Sequence, residues 1–326
     1  MLRRFPLDPY VLAIVATVVL ALVLPLPEAM LPLLGVAAKA SIALLFFLYG
    51  ARLAPQAVWR GLLHWRLQAL VLVGTFGLFP VLGLASRALV PTLLSPQLYL
   101  GILFLCLLPS TVQSSIAFTS LAGGNVAAAV SATSASSVIG IIATPILAAL
   151  LIGGGGEISL SSLEGVVLQL QLPFLAGQAV RPLIAPLIER RRRLVSLVDR
   201  VAVLLIVYMA VSAATGRGVW HVLRPLDLLG VVLTTAMLLT LVLGFLVLIC
   251  RRIGLPRPDE IAVVFCGGNK GLVTGVSMLS ALLPADVAGM AVLPLIVFHQ
   301  IQLIASATVA ARYARGNEQD KDRHLS

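Results

Sequence analysis

Charge is what this chain has least of. Asp, Glu, Lys and Arg make up 11% of its 326 residues, against about 25% in an average soluble domain. An ordinary soluble fold is excluded on that ground, and 60% of the residues are hydrophobic. Cysteine is nearly absent. Cys106, Cys250 and Cys266 stand in or at the end of apolar runs with no CxxC spacing. This reads as buried thiols and excludes a disulfide framework or a zinc site. No metal-ligand cluster and no nucleophile–base pair stands out, so an enzyme is not expected, nor a metal. The net charge is +10, but the arginines cluster between apolar runs and form no single basic face. Nucleic acid is therefore not an expected partner. A small-residue cleavage site is missing after Met1-Leu2-Arg3-Arg4, so Val11–Leu26 reads as a retained first helix.

What the chain has is apolar runs. About ten are long enough to span a bilayer: 9–26, 31–50, 65–87, 97–122, 125–152, 163–185, 198–215, 227–249, 259–283 and 287–311. Linkers are short, which leaves no room for a hidden soluble domain. The expected fold class is an all-α polytopic membrane protein. The membrane domain covers 1–312, and a polar cytoplasmic tail covers 313–326, with Gly316–Ser326 read as disordered. Arg3, Arg4, Arg52, Arg60, Arg66, Arg190–Arg193, Arg200, Arg251, Arg252, Arg257, Arg312, Arg315, Lys321 and Arg323 fall on one side. The other side holds Arg87, Arg217 and Arg224 with Glu28, Glu157, Glu164 and Asp286. The positive-inside rule places both termini in the cytoplasm, of an inner (plasma) membrane. Ten spans then divide into two inverted five-helix repeats, about 9–153 and 163–312.

The fourth member of each half is interrupted. Span 4 contains Leu108-Pro109-Ser110-Thr111-Val112-Gln113-Ser114-Ser115. Span 9 contains Phe265-Cys266-Gly267-Gly268-Asn269-Lys270-Gly271. A mid-helix glycine costs about 1 kcal/mol, and a charge at mid-membrane about 2.5–3.5 kcal/mol. Broken backbone at that depth survives only where protein buries it or a wet cavity receives it. Matching breaks in matching positions point to a transport site near the midplane. Pro109 frees a carbonyl, and freed carbonyls and hydroxyls are oxygen ligands for a cation or a headgroup. Thr133 is the chosen ligand in span 5. Small residues such as Ser131, Ser134, Ser136 and Ser137 serve packing equally well. Lys270 could replace a cation, bind an anion, titrate, or bond freed carbonyls. In span 10, His299 and Gln302 share a face, and Gln300 is the cavity-lining candidate. Lys39 in span 2 is expected to pair with Glu28 or Asp286.

Five segments carry a resemblance. They are Phe46–Leu53, Pro109–Ile116, Gly124-Asn125-Val126-Ala127-Ala128, Cys266–Gly271 and Phe298-His299-Gln300-Ile301-Gln302. In order and at these spans, they resemble the bile-acid/sodium symporter superfamily, in the branch that includes bacterial proteins and the vertebrate orphan seventh member of solute carrier family 10. The resemblance implies a panel domain (spans 1, 2, 6, 7) and a core domain (spans 3–5, 8–10) in which unwound spans 4 and 9 cross. It also implies that Ser114 or Ser115 and Thr133 match sodium ligands. Asn269 and Gln300 match positions near bound substrate. The polar cluster after Pro109 adds Thr111 and Gln113 to the substrate candidates. The chain departs from sodium-coupled relatives near Val264, at Gly268 and at Ala129, where they carry glutamate, glutamine and serine. These departures argue against two-sodium coupling. With Lys270 replacing one ion, they leave one sodium, a proton or no coupling ion.

The expected function is secondary transport of a small organic anion by alternating access. There is no cofactor; sodium is the candidate coupling ion, and the lipid bilayer is the surrounding partner. Two alternatives stay open: a proton-coupled exchanger that uses Lys270, and a non-transporting regulator of ion entry. Substrate identity and oligomeric state are not legible.

Overall fold

The computed structural model describes residues 9–27, 30–52, 64–152, 160–216, 218 and 224–325. Arg3, Arg4, Glu28, Arg60, Glu157 and Arg217 of the charge pattern lie outside them, as do the side chains of Glu164, Arg192, Asp286, Lys321 and Arg323. Among the described residues the chain is helical, and the one β feature is an isolated bridge. Among the described residues, six helices are long and apolar enough to cross a bilayer: Leu34–Arg52, Trp65–Leu89, Val126–Leu151, Arg193–Gly216, Pro225–Arg252 and Val287–Gly316. The remaining expected spans are short, broken or mixed in polarity. Leu12–Val23 is short; Pro96–Leu107 and Leu272–Leu282 are pieces of interrupted runs.

The chain divides into two compact units. The first holds α1 (Pro9–Val23), α2 (Leu31–Arg52), α8 (Leu160–Arg190), α9 (Arg192–Gly216) and residues 276–293. Here α2 lies along α8. Gly50 faces the Phe174 carbonyl and Gly177 faces the Phe47 carbonyl, both too close to leave room for a Cβ. The glycine pair is what lets the two backbones approach. Lys39 is exposed on this unit.

The second unit holds α3 (Trp65–Leu72), α4 (Phe79–Ala85), α5 (Pro96–Leu107), α6 (Val112–Leu121), α7 (Val126–Leu151), α10 (Pro225–Arg252), α11 (Arg257–Gly268) and residues 294–326. A π-helical turn, Val73–Leu78, joins α3 to α4. The run expected at 97–122 is α5 plus α6; the run expected at 259–283 is α11 plus α12 (Leu272–Leu282).

The last helix, α13 (Ala285–Leu325), runs through the segment read as a disordered tail. Glu318, Gln319, Lys321 and Arg323 are good helix formers, and they follow a long preformed helix that needs no new nucleus. Its polar stretch is tied to the start of α11. The buried Glu260 accepts from Tyr313 Oη at 2.7 Å and from Arg251 Nε at 3.4 Å. Arg257 packs on the Tyr313 ring.

Candidate functional site: a lysine among freed carbonyls

Two helices of the second unit stop where their backbone runs out of partners. Pro109 has no N–H, so α5 cannot continue past Leu107, and its last carbonyls need other donors. Leu105 O takes the N–H of Leu108 at 3.2 Å. Leu107 O takes the hydroxyl of Thr144 at 2.7 Å. Ser110 N–H, which a continuing helix would give to Cys106 O, donates instead to Ser136 Oγ at 3.0 Å. Gly140 seats Pro109: a Cβ there would lie 2.5 Å from the proline ring. Cys106 O and Leu108 O remain, and Lys270 Nζ donates to both, at 3.1 and 2.7 Å.

The third acceptor comes from the π-turn. Phe79 N–H donates to Gly74 O, and Pro80 has no N–H to offer Thr75 O. Lys270 Nζ donates to that carbonyl at 2.8 Å. All three ammonium hydrogens are thus used. The Phe79 ring adds a cation–π face 4.2 Å from Nζ. Lys270 is 1% exposed, and no carboxylate pairs with it among the described residues. Hydrogen bonds to a charged group contribute about 1.5–3 kcal/mol each, and three of them offset much of the cost of taking the cation out of water.

The backbone at Lys270 is held as firmly as its ammonium. α11 ends at Gly268, and Asn269 is extended (φ −93°, ψ 137°). Ser110 and Lys270 form an antiparallel bridge. Thr111 N–H donates to Asn269 O at 3.4 Å, and Gly271 N–H to Pro109 O at 3.2 Å. Gln302 closes the other edge. Its Oε1 accepts from Lys270 N–H at 2.8 Å, and its Nε2 donates to Lys270 O at 2.9 Å.

The expected site residues fall into different places. Thr111 enters the bridge through its backbone. Asn269 is fully buried. Its Oδ1 accepts from Ser306 Oγ at 2.9 Å, which leaves Nδ2 as a donor without a partner among the described residues. Gln300 Nε2 and the Ser114 and Ser110 hydroxyls share that condition. Ser115 donates to Phe265 O at 3.0 Å. Thr133 bonds back to Ala129 O at 2.8 Å on its own helix, the packing behaviour common to threonine in membrane helices. Gln113 is exposed and stays outside this network. Of the roles open to Lys270, the geometry matches the bonding of freed carbonyls: its ammonium donates to three of them.

Gln302, Ser136, Thr144 and the Thr75–Pro80 pair were missed. Gln302 had a signal in its three-residue spacing from His299. Pro80 had one as a proline inside a span. Neither names its partner.

Known proteins bear on this geometry. The sequence pattern of the SBF-like CPA transporter family matches residues 8–315. An uncharacterized protein of Pseudomonas aeruginosa is 47% identical over 314 residues, 96% of this chain and 94% of that one. A protein of Escherichia coli K12 named "Putative symporter YfeH" is 44% identical over 316 residues, 96% and 95% of the two chains. The rat protein named sodium/bile acid cotransporter 7 is 25% identical over 277 residues, 82% and 80% of the two chains.

Proposed function

The chain belongs to the SBF-like CPA transporter family, and from that premise we propose that it is a secondary transporter of a small organic anion in which Lys270 holds the place of a coupling cation. The family makes it a multi-pass membrane transporter of a small-molecule substrate and not an enzyme. The finer reading rests on one observation: the ammonium of Lys270 sits among three carbonyl oxygens at 2.7–3.1 Å. Carbonyl oxygens are what a bare monovalent cation would take there. A neutral amine has only two hydrogens and would turn its lone pair on the third carbonyl. The cage is therefore built for a fixed charge, which favours this reading over a titrating Lys270. One sodium at Ser114, Ser115 and Thr133 remains compatible with it.

The anion is argued from donors. Asn269 Nδ2 and Gln300 Nε2 are N–H groups without a partner among the described residues. The breaks also create new helix N-termini at Val112 and Leu272, whose partial positive charge suits an anion. Ten spans, two inverted repeats, an inner-membrane location and cytoplasmic termini complete the proposal. The grouping of α1, α2, α8 and α9 in one unit supports a panel moving against a core.

The test is counterflow of radiolabelled small mono- and dicarboxylates in liposomes holding the purified protein, in sodium and in potassium. Flux of a carboxylate is the expected result: flux without sodium means that Lys270 alone stands for the coupling ions, and sodium-dependent flux adds one sodium at Ser114, Ser115 and Thr133. Binding of a carboxylate by thermal shift, without flux of any, would replace this reading with the non-transporting regulator.

A further inference from the structure

We propose that His299 is a positioning residue: the lone pair of its Nδ1 fixes the amide of Gln302, and that amide fixes the backbone of Lys270. The inference uses the transporter reading only in taking the Lys270 break as the working centre.

A glutamine amide can sit either way round, and its partners decide which. Here the decision is forced twice. Lys270 N–H is a donor and needs an oxygen, which Oε1 provides at 2.8 Å. Lys270 C=O is an acceptor and needs an N–H, which Nε2 provides at 2.9 Å. The amide nitrogen has two hydrogens. One is used on Lys270 O, and the other faces His299 Nδ1 at 2.9 Å. Nδ1 must then be the acceptor nitrogen, and the ring proton must sit on Nε2. The opposite tautomer would set an N–H against an N–H. Gln302 could relieve that only by flipping, and a flipped amide would oppose oxygen to Lys270 O and N–H to Lys270 N–H. His299, Gln302 and Lys270 are thus one hydrogen-bonded unit with a single consistent arrangement. Gln302 is fully buried, so water does not offer it an alternative.

The chain is convenient for testing this. Its lysines are Lys39, Lys270 and Lys321, and its histidines are His64, His221, His299 and His324. Full-length protein labelled with 15N-lysine therefore gives three backbone amide signals, and 15N-histidine gives four ring pairs. Three measurements follow, none of which depends on transport. In the wild type at alkaline pH, the His299 ring, identified by its loss in His299→Asn, is expected as a pure Nε2–H tautomer with two widely separated nitrogen shifts. In Gln302→Leu the His299 Nδ1 signal should move, because the amide that donates to it is gone. The Lys270 amide should keep its position in His299→Asn, whose side-chain oxygen can accept in place of Nδ1, and should move in His299→Leu, which fills the space without accepting. A tautomer-averaged ring in the wild type would overturn the proposal. So would a Lys270 amide that is unmoved in His299→Leu. If the leucine variant does not fold, the wild-type ring and the asparagine variant still decide the matter. Failure of the counterflow experiment would leave these signals unchanged, so the two readings fail separately.

Discussion

Lys270 and Thr75 lie 195 residues apart in the chain, yet the ammonium of one meets the carbonyl of the other at 2.8 Å. The contact exists because two imino acids each withhold a donor. Pro80 leaves Thr75 O open and Pro109 interrupts α5. The open carbonyls of both places converge on one nitrogen.

Removing that nitrogen should be costly and should create an appetite for ions. Lys270→Ala leaves three buried acceptors unpaired, at about 1–3 kcal/mol each. A clear drop in melting temperature is expected in choline chloride, with partial recovery in sodium chloride. A ligand that binds only the folded state stabilises it, by about 2.7 kcal/mol at a hundred times its Kd. Equal stability of variant and wild type in both salts would sink the fixed-cation reading.

Pro80→Ala should break an ordinary rule. Replacing a proline within a helical run by alanine normally stabilises, by up to about 3 kcal/mol. Here the new N–H would compete with Lys270 for Thr75 O. No gain, or a loss, is expected in thermal unfolding. A gain of the ordinary size would mean that the π-turn is not there to free this carbonyl.

Ser136→Ala removes the acceptor of the Ser110 N–H, which has left its helix. Stability should fall by about 1–3 kcal/mol, the penalty for a buried unpaired donor. An unaltered unfolding midpoint would show that Ser110 finds another partner.

Asn269→Asp keeps the acceptor that Ser306 uses and converts the free Nδ2 donor into an oxygen. Loss of one hydrogen bond to a charged ligand, about 1.5–3 kcal/mol, corresponds to roughly 10–100-fold weaker carboxylate binding. Titration calorimetry with any transported carboxylate checks it. Equal affinity would remove Asn269 from the substrate site.

Tyr313→Phe leaves Glu260 without its shortest hydrogen bond, 2.7 Å. A loss of about 1.5–3 kcal/mol is expected, with faster hydrogen exchange in the last turns of α13. Unchanged exchange there would show that this bond does not hold the helical extension to α11.

Several elements were legible in one dimension. Pro109 and the pair Gly267-Gly268 mark places where a helix must stop, since one lacks a donor and the others favour no helix. Lys270 declares itself by being charged in an apolar run. The π-turn was not legible: Thr75-Phe76-Gly77-Leu78-Phe79-Pro80 reads as an apolar helical run, and the extra residue in the turn leaves no mark on composition. Gln300 and Gln302 show the same limit. Helical spacing separates their faces, but nothing in it tells which face meets a broken backbone, and Gln302 proved to be the one that pins Lys270. The segment after Gly316 reads as disordered from its polar, mixed-charge composition, yet it is helical, because such residues also make a good helix when a long helix leads into them.

A membrane protein with interrupted helices is written into the linear chain, because burial in lipid depends on how much apolar side chain each run carries and that sum is local. Tertiary structure alone decided what the interruptions are for. A freed carbonyl is an identical group wherever it occurs. Which cation, hydroxyl or amide satisfies it depends on segments brought together from four separate stretches of chain, around Thr75, Cys106, Lys270 and Gln302.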